Sequence, residues 1–294
     1  MAERKIEHKG SGTAGYTCFS RACATREQEA RSRGPDYRAD IFMPPFAWAL
    51  LNVPLLRKPC MRKLFPTGIY EYVLARTQVF NQAFVDALEH GFSQIVLLGA
   101  GIDTRALRFQ ERNKGTMIFD LDIHATQHYK REVLERKKIT LPSELVFAPI
   151  NFNKQCLADV LAQAGYREGQ QTLFLWEGVT MYLEAEAVDG TLAFIRSSAA
   201  EGSLAVFDYV RASVLRYENT LYGENAIRST VARAEERWIF GIEDGDIEGF
   251  LAKRGLKLLS HYTPSDLEAA YLTAENGTKF GRINETHCIV IAGI

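Results

Sequence analysis

The apolar run Gln94-Ile95-Val96-Leu97-Leu98 is followed at once by Gly99-Ala100-Gly101-Ile102-Asp103-Thr104. Two glycines one residue apart permit a tight turn and let a ligand lie against bare backbone. The residues after the turn, Thr104 to Phe109, read as the start of a helix that Asp103 or Thr104 can cap. Further on, Phe119-Asp120-Leu121-Asp122 closes a second apolar run in acid. A carboxylate at that point can accept both hydroxyls of a ribose. Strand, glycine turn, helix and acidic partner thus read as a nucleoside-binding turn, with Gly99, Ala100, Gly101, Asp103, Asp120 and Asp122 as ligand-facing residues. Solvated strand ends or caps are the plainer role for the two aspartates.

Two nucleoside cofactors suit such a turn. The dinucleotide fingerprint wants a third glycine where this chain has Thr104, and it must receive a doubly charged pyrophosphate. Asp103 places a carboxylate in that turn, which repels a pyrophosphate. S-adenosylmethionine carries no phosphate, and its amino and sulfonium groups are cationic, so an acid-decorated turn suits it better.

The elements that must hold these residues are legible as an alternation. Helical periodicity runs from Tyr70 to His90, with Gly91 as a stop. Short apolar runs at Gln94–Leu98, Met117–Phe119, Leu145–Ala148, Thr172–Leu175, Ser203–Phe207, Leu256–Leu259 and His287–Ala292 read as seven strands. Helical stretches at His124–Lys137 and Asn153–Gly165 separate several of them. Buried runs alternating with helices predict a doubly wound α/β fold, its sheet mostly parallel and covered on both faces. Ligands in such sheets bind at the carboxyl ends of the strands, near the switch point.

Two regions stand outside the alternation. Residues 1–69 are expected to form a helical lid or cap: Ser20–Ala30 reads as a helix, and the Pro-rich stretch that follows carries Phe42, Phe46, Trp48, Leu50, Leu51, Leu55 and Leu56. Residues 70–294 form the core, interrupted at about 211–242 by a charged, helical insertion that ends in Trp238 and Phe240.

Bulk properties exclude several classes. Hydrophobic residues make up 47% and charged residues 24% of the 294, so neither a disordered chain nor a disulfide scaffold fits. A net charge of −1 provides no global field for nucleic acid or an anionic membrane. The 5 cysteines show no metal-ligand spacing, no apolar run reaches the roughly 18 residues of a membrane span, and the first ten residues lack the apolar stretch of a secretion signal. These readings together place the chain in the cytoplasm. His124 and His128 share an i,i+4 spacing without a third ligand, and no metal site is expected.

Val96–Phe109, reading VLLGAGIDTRALRF, closely resembles the glycine motif of the leucine carboxyl methyltransferase family. The resemblance continues at Leu74-Ala75-Arg76-Thr77, at Asp120-Leu121-Asp122 with Lys130, and at Trp176-Glu177-Gly178-Val179-Thr180-Met181-Tyr182-Leu183. The early residues Thr13-Ala14 and Arg21-Ala22 look like the family's small-molecule branch. The resemblance implies an S-adenosylmethionine-dependent O-methyltransferase of Rossmann-like fold. Arg76 would then bind the cofactor's methionine carboxylate, Gly99 and Gly101 would line it, Asp122 would hold its ribose, and Glu177 would lie near its amino acid end. One departure stands out: where the family usually has an aspartate after its third strand, this chain has Asn151-Phe152. An asparagine carbonyl still accepts from the adenine amino group, and Phe152 can pack on the ring.

The acceptor is expected to be a small molecule, most plausibly a carboxylic acid, with a hydroxyl as the alternative. A carboxylate is already ionised at neutral pH and needs no base, whereas a phenol usually does. None of the six histidines falls inside the four motifs, and surface or core roles are expected for them. Tyr182 is the candidate catalytic, substrate-facing group, and Arg105 orients an anionic acceptor or pairs with Asp103 or Asp120. Phe42, Phe46, Trp48 and Trp238 suggest a hydrophobic acceptor. Three other functions compete: methylation of a protein C-terminal carboxylate, a non-catalytic scaffold retaining the fold, and an NAD-dependent oxidoreductase.

Overall fold

The computed structural model describes residues 12–26, 36–53, 65–218, 220–234, 237–274 and 276–294. Element order is α1 (Gly12–Ala24), a 3-10 turn (Ala39–Phe42), α2 (Pro45–Leu51), α3 (Ile69–Glu89), β1 (Gln94–Leu98), α4 (Arg105–Arg108) and β2 (Met117–Asp122). There follow α5 (His124–Arg136), β3 (Leu145–Pro149), α6 (Leu157–Gln163), β4 (Thr172–Trp176), a 3-10 turn (Thr180–Tyr182), α7 (Ala185–Ser198) and β5 (Leu204–Val210). The chain ends through α8 (Ala212–Leu215), α9 (Glu224–Ala234), α10 (Ile247–Ala252), β6 (Lys257–Tyr262), α11 (Pro264–Tyr271) and β7 (His287–Gly293).

The seven strands form one sheet in the order β3-β2-β1-β4-β5-β7-β6. β7 runs antiparallel to both neighbours, and the other pairings are parallel. β1 and β4 are buried along their whole length, as expected of strands covered on both faces. One face packs Phe119, Phe174, Trp176 and Phe207 against Leu161 of α6, Leu192 and Ile195 of α7 and Leu251 of α10. The other packs Ile95, Leu97, Leu175 and Val206 against Tyr72, Phe80, Phe84 and Leu88 of α3 and Leu267 of α11. The strand order reverses direction between β1 and β4, so the carboxyl ends of those two strands open a crevice.

The seven strands and the mostly parallel sheet agree with the sequence reading. The N-terminal region does not agree in detail. Its helix is Gly12–Ala24 rather than Ser20–Ala30, and Leu55 and Leu56 lie outside the described residues. Phe42 and Leu51 are buried with Cys18, Ala22 and Cys23 in a small cluster, while Phe46 is 76% and Trp48 52% exposed. The roof over the crevice is built instead by α1. The expected helix Asn153–Gly165 is shorter, because residues 151–155 are spent on a turn whose amides bond Asn151.

Candidate active site

The glycine turn leaves β1 at the switch point, with Gly99 at φ +69° and Gly101 at φ +53°, both left-handed. A Cβ at Gly99 would overlap Val179, which follows β4, so only glycine lets the two loops approach. Ala100 N–H donates to Leu121 O at 2.7 Å, pinning the turn to the end of β2. Asp122 completes it: Oδ2 accepts from Gly101 N–H at 2.6 Å and Oδ1 from Ile123 N–H at 2.7 Å. Burial pushes the Asp122 carboxyl up to about 6, against the pull of those two amides. Helix α4 is a single turn whose N-cap residue, Thr104, makes no side-chain cap; Asp103, one residue earlier, accepts from Arg105 N–H through Oδ1 at 2.6 Å.

Below the turn lies a network of buried charges. Arg76, from the middle of α3, donates through Nε to Glu177 Oε1 at 3.0 Å and through Nη1 to Asp208 Oδ2 at 2.8 Å. Arg105 bonds the other oxygen of Glu177 at 2.7 Å, pairs with Asp103 and donates to Asn81 at 2.9 Å. Arg21 of α1 joins Asp36 at 2.8 Å and donates to Ile102 O at 2.6 Å, so α1 is clasped to the glycine turn. Arg108 and Thr104 meet the same Asp36, at 3.4 Å and 2.7 Å. Four guanidiniums (Arg21, Arg76, Arg105, Arg108) thus share four carboxylates (Asp36, Asp103, Glu177, Asp208). Burial alone would raise the Glu177 carboxyl, but Arg105 and Arg76 hold it down to about 2.

These groups border a cavity of about 390 Å³. Arg76, Gly99, Ala100, Gly101, Asp103, Asp122, Asn151, Phe152, Glu177 and Tyr182 all line it. Asp120 does not: it is buried on the far side of β2, where Lys130 Nζ and Gln127 engage it. Arg76 carries no lone task, since two carboxylates already share it. Asn151 Oδ1 accepts from Asn153 N–H at 3.1 Å and holds the turn after β3.

An apolar part of the wall comes from α3 (Ile69, Val73), the turn after β4 (Met181) and the segment after β5 (Ile227, Val231, Trp238), and His287 lines the cavity beside it. Among the described residues the insertion carries two helices, α8 and α9. Phe240, expected beside Trp238, packs instead in the sheet core with Phe250. Asp36, Arg108 and Asp208 escaped the sequence reading, Arg21 entered it only through the family resemblance, and His287, expected in a surface or core role, lines the cavity. Asp208 directly follows the run Ser203–Phe207, His287 opens the run His287–Ala292, and Asp36 follows a proline in a polar loop.

A match to the leucine carboxyl methyltransferase family model spans residues 15–196, more than half of the chain and every strand up to β4. The chain belongs to that family. Among relatives, the Bacillus subtilis protein YktD, provisionally named an S-adenosyl-L-methionine-dependent methyltransferase, is 28% identical over 74% of this chain and 71% of its own length. A Frankia alni relative with the same provisional name is 34% identical over 46% of this chain and 47% of its own. The chain therefore spans only about half the length of some family members it matches. Among solved structures, a DUF574 family protein from Streptomyces avermitilis superposes with TM-score 0.59 at 13% identity, covering 81% of this chain and 90% of that one. A provisionally named methyltransferase from Thermobifida fusca gives TM-score 0.57 at 14% identity, over 94% and 93%. At such identities these two speak for the fold alone.

Proposed function

We propose that this family member is an S-adenosylmethionine-dependent O-methyltransferase acting on a small, apolar molecule. The observation that carries the reading is the convergence of the Gly99–Gly101 turn, the Asp122 carboxylate and the Arg76–Glu177 pair on one cavity that also presents the apolar side chains Ile69, Val73, Met181, Ile227, Val231 and Trp238.

The cavity residues fit that cofactor. Gly99 and Gly101 leave backbone open to a flat nucleoside, and Asp122 supplies a carboxylate for the ribose hydroxyls. Phe152 and Asn151 offer a ring face and amide atoms for adenine, and Glu177 an anion for the cationic amino group. Arg76 would hold the methionine carboxylate while it braces Glu177. A dinucleotide fits poorly, because Arg105 is neutralised by Asp103 and Glu177, and one turn of α4 offers little helix dipole to a pyrophosphate.

The bound cofactor supplies a methyl group on a sulfonium, and the protein's task is alignment and exclusion of water. α1, clasped by Arg21, roofs the turn. Ile69, Val73, Met181 and Trp238 desolvate the acceptor, and Tyr182 lies among them. A pocket of this size and lining suits a small molecule better than a peptide tail, and protein C-terminal methylation is the weaker reading for that reason.

Calorimetric titration with S-adenosylmethionine and, separately, with NADH tests the cofactor assignment. Binding of the methyl donor alone, lost in Asp122→Ala, is expected. Binding of NADH, or of neither compound, would overturn it.

A further inference from the structure

His287 opens β7, where it pairs with Val210 at the carboxyl end of β5, and its ring lines the cavity. Tyr72 stacks on it at 4.6 Å between ring centroids, and Trp238 meets it edge-to-face at 5.1 Å. The tautomer of this histidine follows from a buried chain of hydrogen bonds. Asn284 Nδ2 donates to Thr67 O at 2.9 Å, which leaves Oδ1 as the acceptor facing Thr286. Oδ1 takes Thr286 N–H at 3.1 Å and also the Thr286 hydroxyl proton. That hydroxyl, its proton already committed, can only accept in its 2.7 Å contact with His287 Nδ1. Nδ1 therefore carries the hydrogen, and Nε2 holds a bare lone pair, which makes no hydrogen bond among the described residues.

We propose that His287 Nε2 receives the O–H of a neutral acceptor hydroxyl and takes its proton during methyl transfer, so that the preferred acceptor is a phenol or enol rather than a carboxylate. The proposal rests on the O-methyltransferase reading and deepens it. A carboxylate brings only lone pairs, which the Nε2 lone pair opposes. A hydroxyl offers one donor and one acceptor. Its donor suits the Nε2 lone pair that lines the cavity.

The step balances. The acceptor oxygen bonds the methyl carbon as the carbon–sulfur bond breaks and its electron pair stays on sulfur. The O–H proton passes to Nε2, and the imidazolium returns it to water once product leaves. Burial and the nearby Arg76 hold His287 down at about 3, so it is neutral whenever acceptor arrives. A base that weak is sufficient only because an oxygen being alkylated becomes strongly acidic. The groups facing the ring are Tyr72 and Arg76 from α3 and Trp238. Asp208 stands behind Tyr72, accepting its hydroxyl at 2.9 Å.

Nitrogen-15 NMR of the full chain, labelled in its histidines, reads the tautomer without any turnover. The Nδ1–H form of His287, unprotonated from pH 8 to pH 5, is expected; an Nε2–H form, or titration at the ordinary histidine value, would overturn the proposal. Transfer of labelled methyl to 2-naphthol and 2-naphthoate, two probes differing in that one group, reads the acceptor. Naphthol should be preferred. His287→Phe should lower kcat on it by roughly 100-fold while affinity for S-adenosylmethionine stays within about twofold, and His287→Gln should keep a lower KM than the phenylalanine variant. Preference for naphthoate, or an unchanged kcat in His287→Phe, would overturn the proposal. Failure of the wild type to bind the methyl donor would instead overturn the O-methyltransferase reading and leave the NMR result standing.

Discussion

Glu177 lies between the guanidiniums of Arg76 and Arg105 and gives each of them one oxygen. Removing that charge would leave two buried cations short of a partner, a loss of about 3–5 kcal/mol for a broken buried pair. Glu177→Gln is therefore expected to unfold at markedly lower denaturant than wild type, as read by circular dichroism. The pH dependence has a definite sign. The folded carboxyl lies at about 2 against an ordinary 4.5, so its contribution is full above 4.5 and disappears as pH falls toward 2. Asp122 is displaced the other way, to about 6. Its ionised form, the better acceptor for ribose hydroxyls, gives way to the acid below that value. Affinity for S-adenosylmethionine should fall as pH is lowered through about 6, and Asp122→Asn should bind at least tenfold more weakly with a flat profile between pH 5 and 8. A calorimetric series that stayed level in the wild type would refute this role for Asp122. At this scale the sequence was informative about Gly99, Gly101, Asp122 and Glu177, which sit in contiguous motifs. It was silent about Asp208 and gave His287 a surface or core role, because their partners Arg76 and Thr286–Asn284 are defined only once β5 and β7 pair.

Helix α3 begins at Gly68, left-handed at φ +74°, where a Cβ would overlap the backbone of Asn284. The start of the helix that carries Arg76 is thus pressed against the residue that fixes the tautomer of His287. Gly68→Ala should disturb both ends of the cavity at once, reducing affinity for S-adenosylmethionine and kcat together. A Gly68→Ala protein with wild-type values of both would show the contact to be incidental. Helix α1 acts differently: it is held by Arg21 through Asp36 and Ile102 O. Arg21→Met should speed dissociation of S-adenosylmethionine severalfold, measured by stopped-flow fluorescence, and also lower the melting temperature, because the buried Asp36 loses its nearer cation. Strong apolar periodicity made α3 and the strands legible to within a few residues. In the N-terminal segment Phe42, Phe46 and Trp48 were misread, because aromatic residues in a Pro-rich stretch look like lid residues wherever they point. Phe42 turns inward, Phe46 and Trp48 outward, and only tertiary contacts make that distinction.

The family match ends at residue 196, whereas Ile227, Val231, Trp238 and His287 lie beyond it. The molecule thus divides its cavity between a family-typical half, holding the glycine turn and the acids, and a half built from later residues. Replacing residues 212–242 with the corresponding segment of another family member should change which acceptors are methylated and leave cofactor affinity within a few fold. Loss of cofactor binding in such a chimera would show that the two halves are not separable.

β7 follows β6 in the chain yet lies between β5 and β6 in the sheet. As a ribosome delivers the chain, β6 emerges with no strand to pair with, and the edge of β5 stays open until β7 threads into the gap. Completion of the sheet and arrival of His287 at the cavity are then a single late event. Any intermediate caught earlier exposes an unpaired apolar edge, the kind of surface that self-associates. Pulse-labelling hydrogen exchange during refolding should find the amides of β5, β6 and β7 protected together and after those of β1, β2 and β4. Earlier protection of β6 would mean that a different strand pairing precedes the native one.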